Sequence, residues 1–303
     1  LPDNVVYENP NGIDGTHSYS VRLTDEKLGW LRKDLATVDK QTPVFVGMHV
    51  PLHKTPTLDD TGRTTTSYNM EDAERFVECL EGYDVNILTG HTHYNFNITK
   101  SERLREHNIA AVCATWWWTG HTDYAGNHIC RDGSPGGYKI FEATGSDVRW
   151  YYKSIGKDAG YQFRTYDLNE CLLEKSDFCP SASDSDFAKY AFGYDRANDN
   201  NEVLINVFDW ADDWKIEVTD LSDDSSLAVQ RVRTHDPLHV ISYNMRKLDK
   251  KSAMTFPTSY SAHMFKVKAR TASSSLRIVV IDGFENHYEQ IMERPKALSF
   301  AME

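Results

Sequence analysis

The sequence predicts a mixed α+β chain in two parts, and three observations carry that reading. Up to Trp118, short apolar runs alternate with amphipathic helical stretches. After Trp118 the helical periodicity disappears. Beyond about residue 200 there are only short segments with period-2 alternation, separated by polar turns. A single hydrophobic core stops growing near ~250–300 residues, so a 303-residue chain is expected to hold two domains. We place them at residues 1–168 and 169–303.

The first part opens with a helix over Thr24–Val38. Thr24 suits the N-cap, Asp25 and Glu26 suit the first turn, and Leu28, Leu31 and Leu35 fall on one face. Pro43–Met48 is a continuous apolar run ending in His49, the pattern of a strand buried on both faces. A second helix is expected from Asn69, with Asp72 completing an imperfect capping box, Met70, Ala73, Phe76, Val77 and Leu80 as its stripe, and Gly82 as its stop. Val85–Thr89 is a second buried strand that runs into Gly90-His91-Thr92-His93, and a third strand is expected over Ile109–Thr115. Strands alternating with helices imply a layered α/β arrangement.

Tyr138–Ala143 and Val148–Ser154 read as a hairpin turning at Thr144-Gly145-Ser146. The Ser/Asp-rich stretch from Tyr166 to Lys189 reads as the connection between domains. The second part is then strands alone: Val203–Trp210, Trp214–Leu221, Leu227–Thr234, His263–Thr271, Leu276–Asp282 and His287–Glu293. Their spacing predicts an all-β sandwich of two packed antiparallel sheets with Val207, Ile216, Ile278 and Val280 inside.

The net charge of −12 argues against non-specific nucleic-acid binding, which needs Lys and Arg to neutralise phosphates. No apolar run approaches the ~20 residues of a membrane-spanning helix. Cys79, Cys113, Cys130, Cys171 and Cys179 form no C-x-x-C pair. Cys171 and Cys179 flank a short polar loop; they are either two free thiols or, in an oxidising compartment, a disulfide. The Leu1-Pro2-Asp3 start is neither an initiator Met nor a signal peptide, so either the chain is processed or its true N-terminal part is absent. Its localisation is open, with an extracytoplasmic place preferred.

The chemistry points to His49 and to the His91/His93 pair, because each ends a buried apolar strand. Loops at strand ends are where sheet proteins bind ligands, and neutral imidazole is the commonest metal ligand. The glycine before His91 lets the backbone turn sharply. The three rings are expected to converge at one sheet edge.

Val46-Gly47-Met48-His49-Val50-Pro51-Leu52 and Leu88-Thr89-Gly90-His91-Thr92-His93 resemble the last two metal-binding motifs of calcineurin-like metallophosphoesterases. Trp116-Trp117-Trp118-Thr119-Gly120, Asp132–Tyr138, Asn206–Trp210 and Asp282-Gly283-Phe284 resemble segments of a bacterial subfamily with an extra C-terminal domain. The resemblance implies the C-terminal part of an αββα four-layer sandwich followed by the all-β domain. It implies metal-dependent hydrolysis of phosphate esters, in which two divalent ions (Mn, Zn or Fe) about 3.5–4 Å apart activate a hydroxide for in-line attack. By the family pattern His49 and His91 bind one ion and His93 the other. His53 matches no ligand position and is either a substrate contact or an exposed loop residue.

The family's D-x-H, G-D-x-x-D and G-N-H-[D/E] motifs, which precede this segment, are absent from these 303 residues. The chain alone is therefore expected to hold only part of the metal site and to be a poor enzyme. Gly126-Asn127-His128 spells G-N-H after G-H-T-H rather than before it, and we read it as coincidence; His121 and Asp123 are loop residues without a partner in motif order. A metallo-β-lactamase-like site is excluded by Asn95 and Phe96, which stand where an acid and an imidazole are needed. The alternative is a non-catalytic module binding carbohydrate or protein through the C-terminal domain, with Trp210 and Trp214 as a platform; a packed hairpin is the simpler account of those two rings.

Overall fold

The computed structural model describes residues 2–7, 18–120 and 128–301. His121, Asp123, Gly126 and Asn127 lie outside the described residues. The first helix spans Asp25–Leu35; Thr24 caps it by accepting the Lys27 N–H at 3.3 Å. Acidic residues fill its first turn and Arg32 and Lys33 its last, the arrangement that complements the helix dipole. Leu28, Leu31 and Leu35 are buried against Phe76 of the second helix and against Val46, Val85 and Ile87 of the sheet behind. The second helix is shorter than expected, Ala73–Cys79, with Asp72 at its N-cap; before it the Asn69 and Met70 N–H groups donate to the Leu52 carbonyl and the Glu71 N–H to the Val21 carbonyl. Gly82, with φ 81°, turns the chain away after it.

The sheet of this part runs in the order Val44–Gly47, Val85–Thr89, Leu104–Asn108, Phe96–Ser101. The first two pairings are parallel and the last is antiparallel. The strand expected at Ile109–Thr115 is not one. The ladder ends at Asn108, and the chain turns through Ala114, whose φ is 48°. The third strand is instead the polar Leu104-Arg-Glu-His-Asn108, whose Glu106, His107 and Asn108 are buried and hydrogen-bonded.

The expected hairpin forms, Gly137–Thr144 against Asp147–Ser154, with Gly145 at φ 62° in its turn. It wedges between the two parts of the chain. Phe141 meets Phe45 of the first sheet at 5.6 Å between ring centroids, and Trp150 meets His107 on one side and Phe284 on the other. Lys139 forms a fully buried ion pair with Asp209 at 2.7 Å.

The remaining chain builds two four-stranded antiparallel sheets. One runs Phe163–Asp167, Glu202–Val207, Ser261–Lys268, Val229–Thr234; the other runs Ser225–Ser226, Lys215–Asp220, Leu276–Ile281, His287–Met292. Both contribute to one apolar cluster, with Val207, Ile278 and Val280 fully buried and Ile216 half-buried beside them. Trp214 is buried in that cluster and Trp210 packs on Phe265 at 4.4 Å, so the pair serves packing. The division drawn after residue 168 cuts the first of these sheets, since Phe163–Asp167 pairs with Glu202–Val207.

Two expectations for this region are corrected. The Tyr166–Lys189 stretch is not a bare connection: Tyr166 is fully buried, and Ser183 caps a helix over Asp184–Ala191 by accepting the Asp186 N–H at 3.1 Å. Nor does the second part hold strands only. A continuous helical segment from Pro237 to Asp249 buries Leu238, Val240, Ile241 and Met245, and Asp236 caps it through the His239 N–H at 2.9 Å. Among the described residues no helix is long and apolar enough to cross a membrane.

All five cysteines are free thiols, and Cys171 and Cys179 are buried separately. Burial raises the Cys179 thiol to about 11 and pushes Cys171 higher still. An aqueous thiol reagent is therefore expected to modify half-buried Cys113 first and to reach all five only on unfolding. Three reactive thiols in the denatured, unreduced chain would instead reveal a disulfide.

Candidate metal centre

The site forms where two parallel strands end side by side. Beyond the ladder, the Met48 N–H donates to the Leu88 carbonyl at 2.9 Å and the Gly90 N–H to the His49 carbonyl at 3.1 Å. These bonds hold His49 against the start of the Gly90–His93 loop. From the other side, buried Asn4 donates to the Val50 carbonyl at 2.7 Å, tying the N-terminal strand Val5–Tyr7 to the same corner. Its partner strand Tyr19–Val21 brings the Tyr19 hydroxyl to 3.2 Å from His91 Nε2.

His91 and His93 both have left-handed backbone, φ 68° and 60°, a conformation that costs non-glycine residues about 1–3 kcal/mol each. The loop is pinned in this shape by buried polar groups. Asn108 Nδ2 donates to Thr92 Oγ1 and, at 2.6 Å, to the Tyr94 carbonyl. The Asn95 N–H donates to Asp132 Oδ2 at 2.8 Å.

Of the three histidines expected to converge, His49 and His91 meet directly. His49 Nε2 and His91 Nδ1 stand 3.1 Å apart, and their rings meet edge to face. Burial first, and then the neighbouring His49 and His93, hold His91 below the usual imidazole range. His93 Nδ1 lies 2.6 Å from the Ala114 carbonyl, and its ring stacks on Trp116 at 3.9 Å. A carbonyl only accepts, so Nδ1 carries the proton and the lone pair is on Nε2.

His53 is not an exposed loop residue. It is buried, with Nδ1 2.6 Å from Glu106 Oε2. Glu106 also accepts the Leu52 N–H at 2.7 Å, the His53 N–H at 3.1 Å and the Thr89 hydroxyl at 3.2 Å, so this carboxylate ties the segment after His49 to the sheet. His53 and His91 border one cavity together with Tyr19, Pro51 and Asn69. His128 stands apart, edge-on to Trp117 at 5.3 Å, with burial and Arg246 lowering its pKa.

The donor chemistry fits a divalent ion in part. Two imidazole nitrogens, each about 2.0–2.1 Å from one tetrahedral ion, stand about 3.3 Å apart, close to the separation of His49 Nε2 and His91 Nδ1. Yet among the described residues no group of three or more His, Cys, Asp or Glu side chains is arranged to hold a metal ion. The pair is half of a coordination shell, without the carboxylates that hard divalent ions favour. Tyr19 and Glu106 had no sequence signal of their own; each acquires its place only through long-range pairing.

Comparison with known families finds one match: residues 106–288 fit the family described as the C terminal of calcineurin-like phosphoesterase. The matched span begins after His49, His91 and His93. No curated protein and no solved structure matches the chain.

Proposed function

Because the chain belongs to the calcineurin-like phosphoesterases, carrying their C-terminal domain over residues 106–288, we propose that it takes part in metal-dependent hydrolysis of phosphate esters. His49 and His91 would donate to one divalent ion and His93 to a second, with further ligands from outside these residues. The observation that supports this best is the 3.1 Å approach of His49 Nε2 to His91 Nδ1 at the ends of adjacent parallel strands. Divalent ions, when bound, supply a Lewis acid for the phosphoryl oxygens and an activated water. The chain's own residues supply lone pairs: Nε2 of His49, Nδ1 of His91 and Nε2 of His93. Tyr19 contributes a hydroxyl at the mouth, and Glu106, through His53, fixes the segment that follows His49.

In this reading the sheet headed by Val44–Gly47 is one half of a four-layer αββα sandwich, and the two antiparallel sheets are a β-sandwich appended to it. Zn²⁺ titration of the ¹⁵N-histidine-labelled chain tests the assignment. His49 and His91 ring nitrogens should shift together at weak, millimolar-range occupancy, with His93 following. Shifts confined to other histidines would reject the site.

A further inference from the structure

We infer that the C-terminal part of the chain is one wall of the histidine site, with Phe256, acting through Trp116, as a positioning residue for His93; the inference builds on the proposed role of that histidine. The Trp116 ring lies 3.9 Å from the His93 ring at 14° between planes, and 3.8 Å from the Phe256 ring at 21°. Two near-parallel neighbours this close must occupy opposite faces of the indole, so Trp116 is clamped between them. Phe256 is therefore the backstop that holds Trp116 flat against the imidazole.

The backbone carrying Trp116 does not hold this pose unaided. Ala114, Trp116 and Trp117 have φ of 48°, 50° and 63°, three left-handed non-glycine residues within four. Strain of this density persists only where surrounding contacts over-determine it. The contacts come from the stretch 129–131 and from the C-terminal part. Buried Thr115 donates to the Ile129 carbonyl at 2.8 Å and meets His239 Nε2 at 3.0 Å. The Phe256 N–H donates to the Tyr243 hydroxyl at 3.1 Å, Arg131 Nε donates to the Pro257 carbonyl at 3.0 Å, and the Thr258 N–H donates to Asn244 Oδ1 at 3.1 Å. The Phe256 loop is thus moored to the helical segment Pro237–Asp249.

For a ligand histidine the consequence is specific. The lone pair lies in the ring plane, so a stack that fixes the plane and a carbonyl that fixes the proton together aim Nε2 in one direction. Without the backstop Trp116 can tilt, the imidazole can leave the Ala114 carbonyl, and both tautomers become populated.

The test uses the 303-residue chain labelled with ¹⁵N-histidine. In the wild type, His93 should give the signature of a single tautomer, protonated at Nδ1. Phe256→Ala, and Phe256→Leu, which keeps apolar volume but has no ring face, should give averaged His93 nitrogen shifts, and Zn²⁺ affinity read from the same spectra should fall roughly tenfold or more. Phe256→Tyr should restore both. A thermally stable Phe256→Leu chain with the wild-type tautomer and Zn²⁺ affinity overturns the inference. If the tautomer averages but neither chain binds Zn²⁺, the positioning role stands and the metal assignment of the histidines falls.

Discussion

Replacing Asp209 with asparagine is expected to destabilise the folded chain by about 3–5 kcal/mol at pH 7, with a fall in melting temperature on the order of 10 °C. Lys139 and Asp209 are both fully buried, 2.7 Å apart, at the place where the hairpin Gly137–Thr144 meets the strand end after Val207. Burial already lowers the Lys139 pKa, and the Asp209 charge offsets part of that shift. Removing the charge leaves the ammonium with neutral acceptors alone: the asparagine oxygen, Asn97 Oδ1 at 2.8 Å and His107 Nδ1 at 3.3 Å, none of which carries a compensating negative charge.

The variant's pH dependence follows from the sign of that shift. The folded pKa of Lys139 then lies further below the unfolded value of about 10.4, so between the two the unfolded chain binds more protons and stability rises with pH. The deficit of Asp209→Asn should therefore shrink from pH 7 towards pH 10 and level off above it. Asp212 is the control. Its carboxylate is over half exposed beside Arg231, and Asp212→Asn should cost less than about 1 kcal/mol. Urea unfolding at pH 7 and pH 9.5 separates these outcomes; an Asp209→Asn midpoint equal to wild type at both would remove the buried pair as a staple between the two parts.

Why the pair escaped a reading of the sequence is also why other elements did. Apolar periodicity reveals strands such as Val85–Thr89 and Leu276–Ile281, because there the core face is written in Val, Ile and Leu. Leu104–Asn108 carries no such signal. Its Glu106 and His107 are buried because His53, Thr89, Asn86 and Asn97, distant in sequence, satisfy them. Ile109–Thr115 has the apolar composition of a strand, but Ala114 and the residues after it enter left-handed backbone that only the tertiary contacts hold. The helical segment from Pro237 was legible, since Asp236-Pro237 is an N-cap followed by proline at the first helical position, a signal that a reading in terms of strands alone passed over. His49 and G-H-T-H stood out because a histidine at the end of an apolar strand has few structural uses. His53 four residues later matches no ligand position, but its burial against Glu106 shows only in the structure.

In a protein that also carries the upstream D-x-H, G-D-x-x-D and G-N-H motifs, His91→Ala is expected to cut metal-dependent hydrolysis of an aryl phosphate ester by about 10³-fold. Several kcal/mol of transition-state charge stabilisation come from a correctly held ion, and each 1.36 kcal/mol is tenfold in rate. His91 sits 3.1 Å from His49 Nε2, so its removal takes away one of the two donors that could share an ion there. The backbone supplies a check on folding. His91 has φ 68°, and alanine tolerates that conformation poorly, so His91→Asn, which accepts left-handed backbone more readily, should keep wild-type thermal stability yet lose activity to a similar extent. His128→Ala changes a ring that packs on Trp117, away from the His49–His91 contact, and should retain most of the rate. Added Mn²⁺ or Zn²⁺ should rescue His91→Asn only weakly, because the missing element is a donor atom rather than ion supply. A fully active His91→Asn beside an inactive His128→Ala would move the reaction centre to the far side of the Trp116–Trp118 segment.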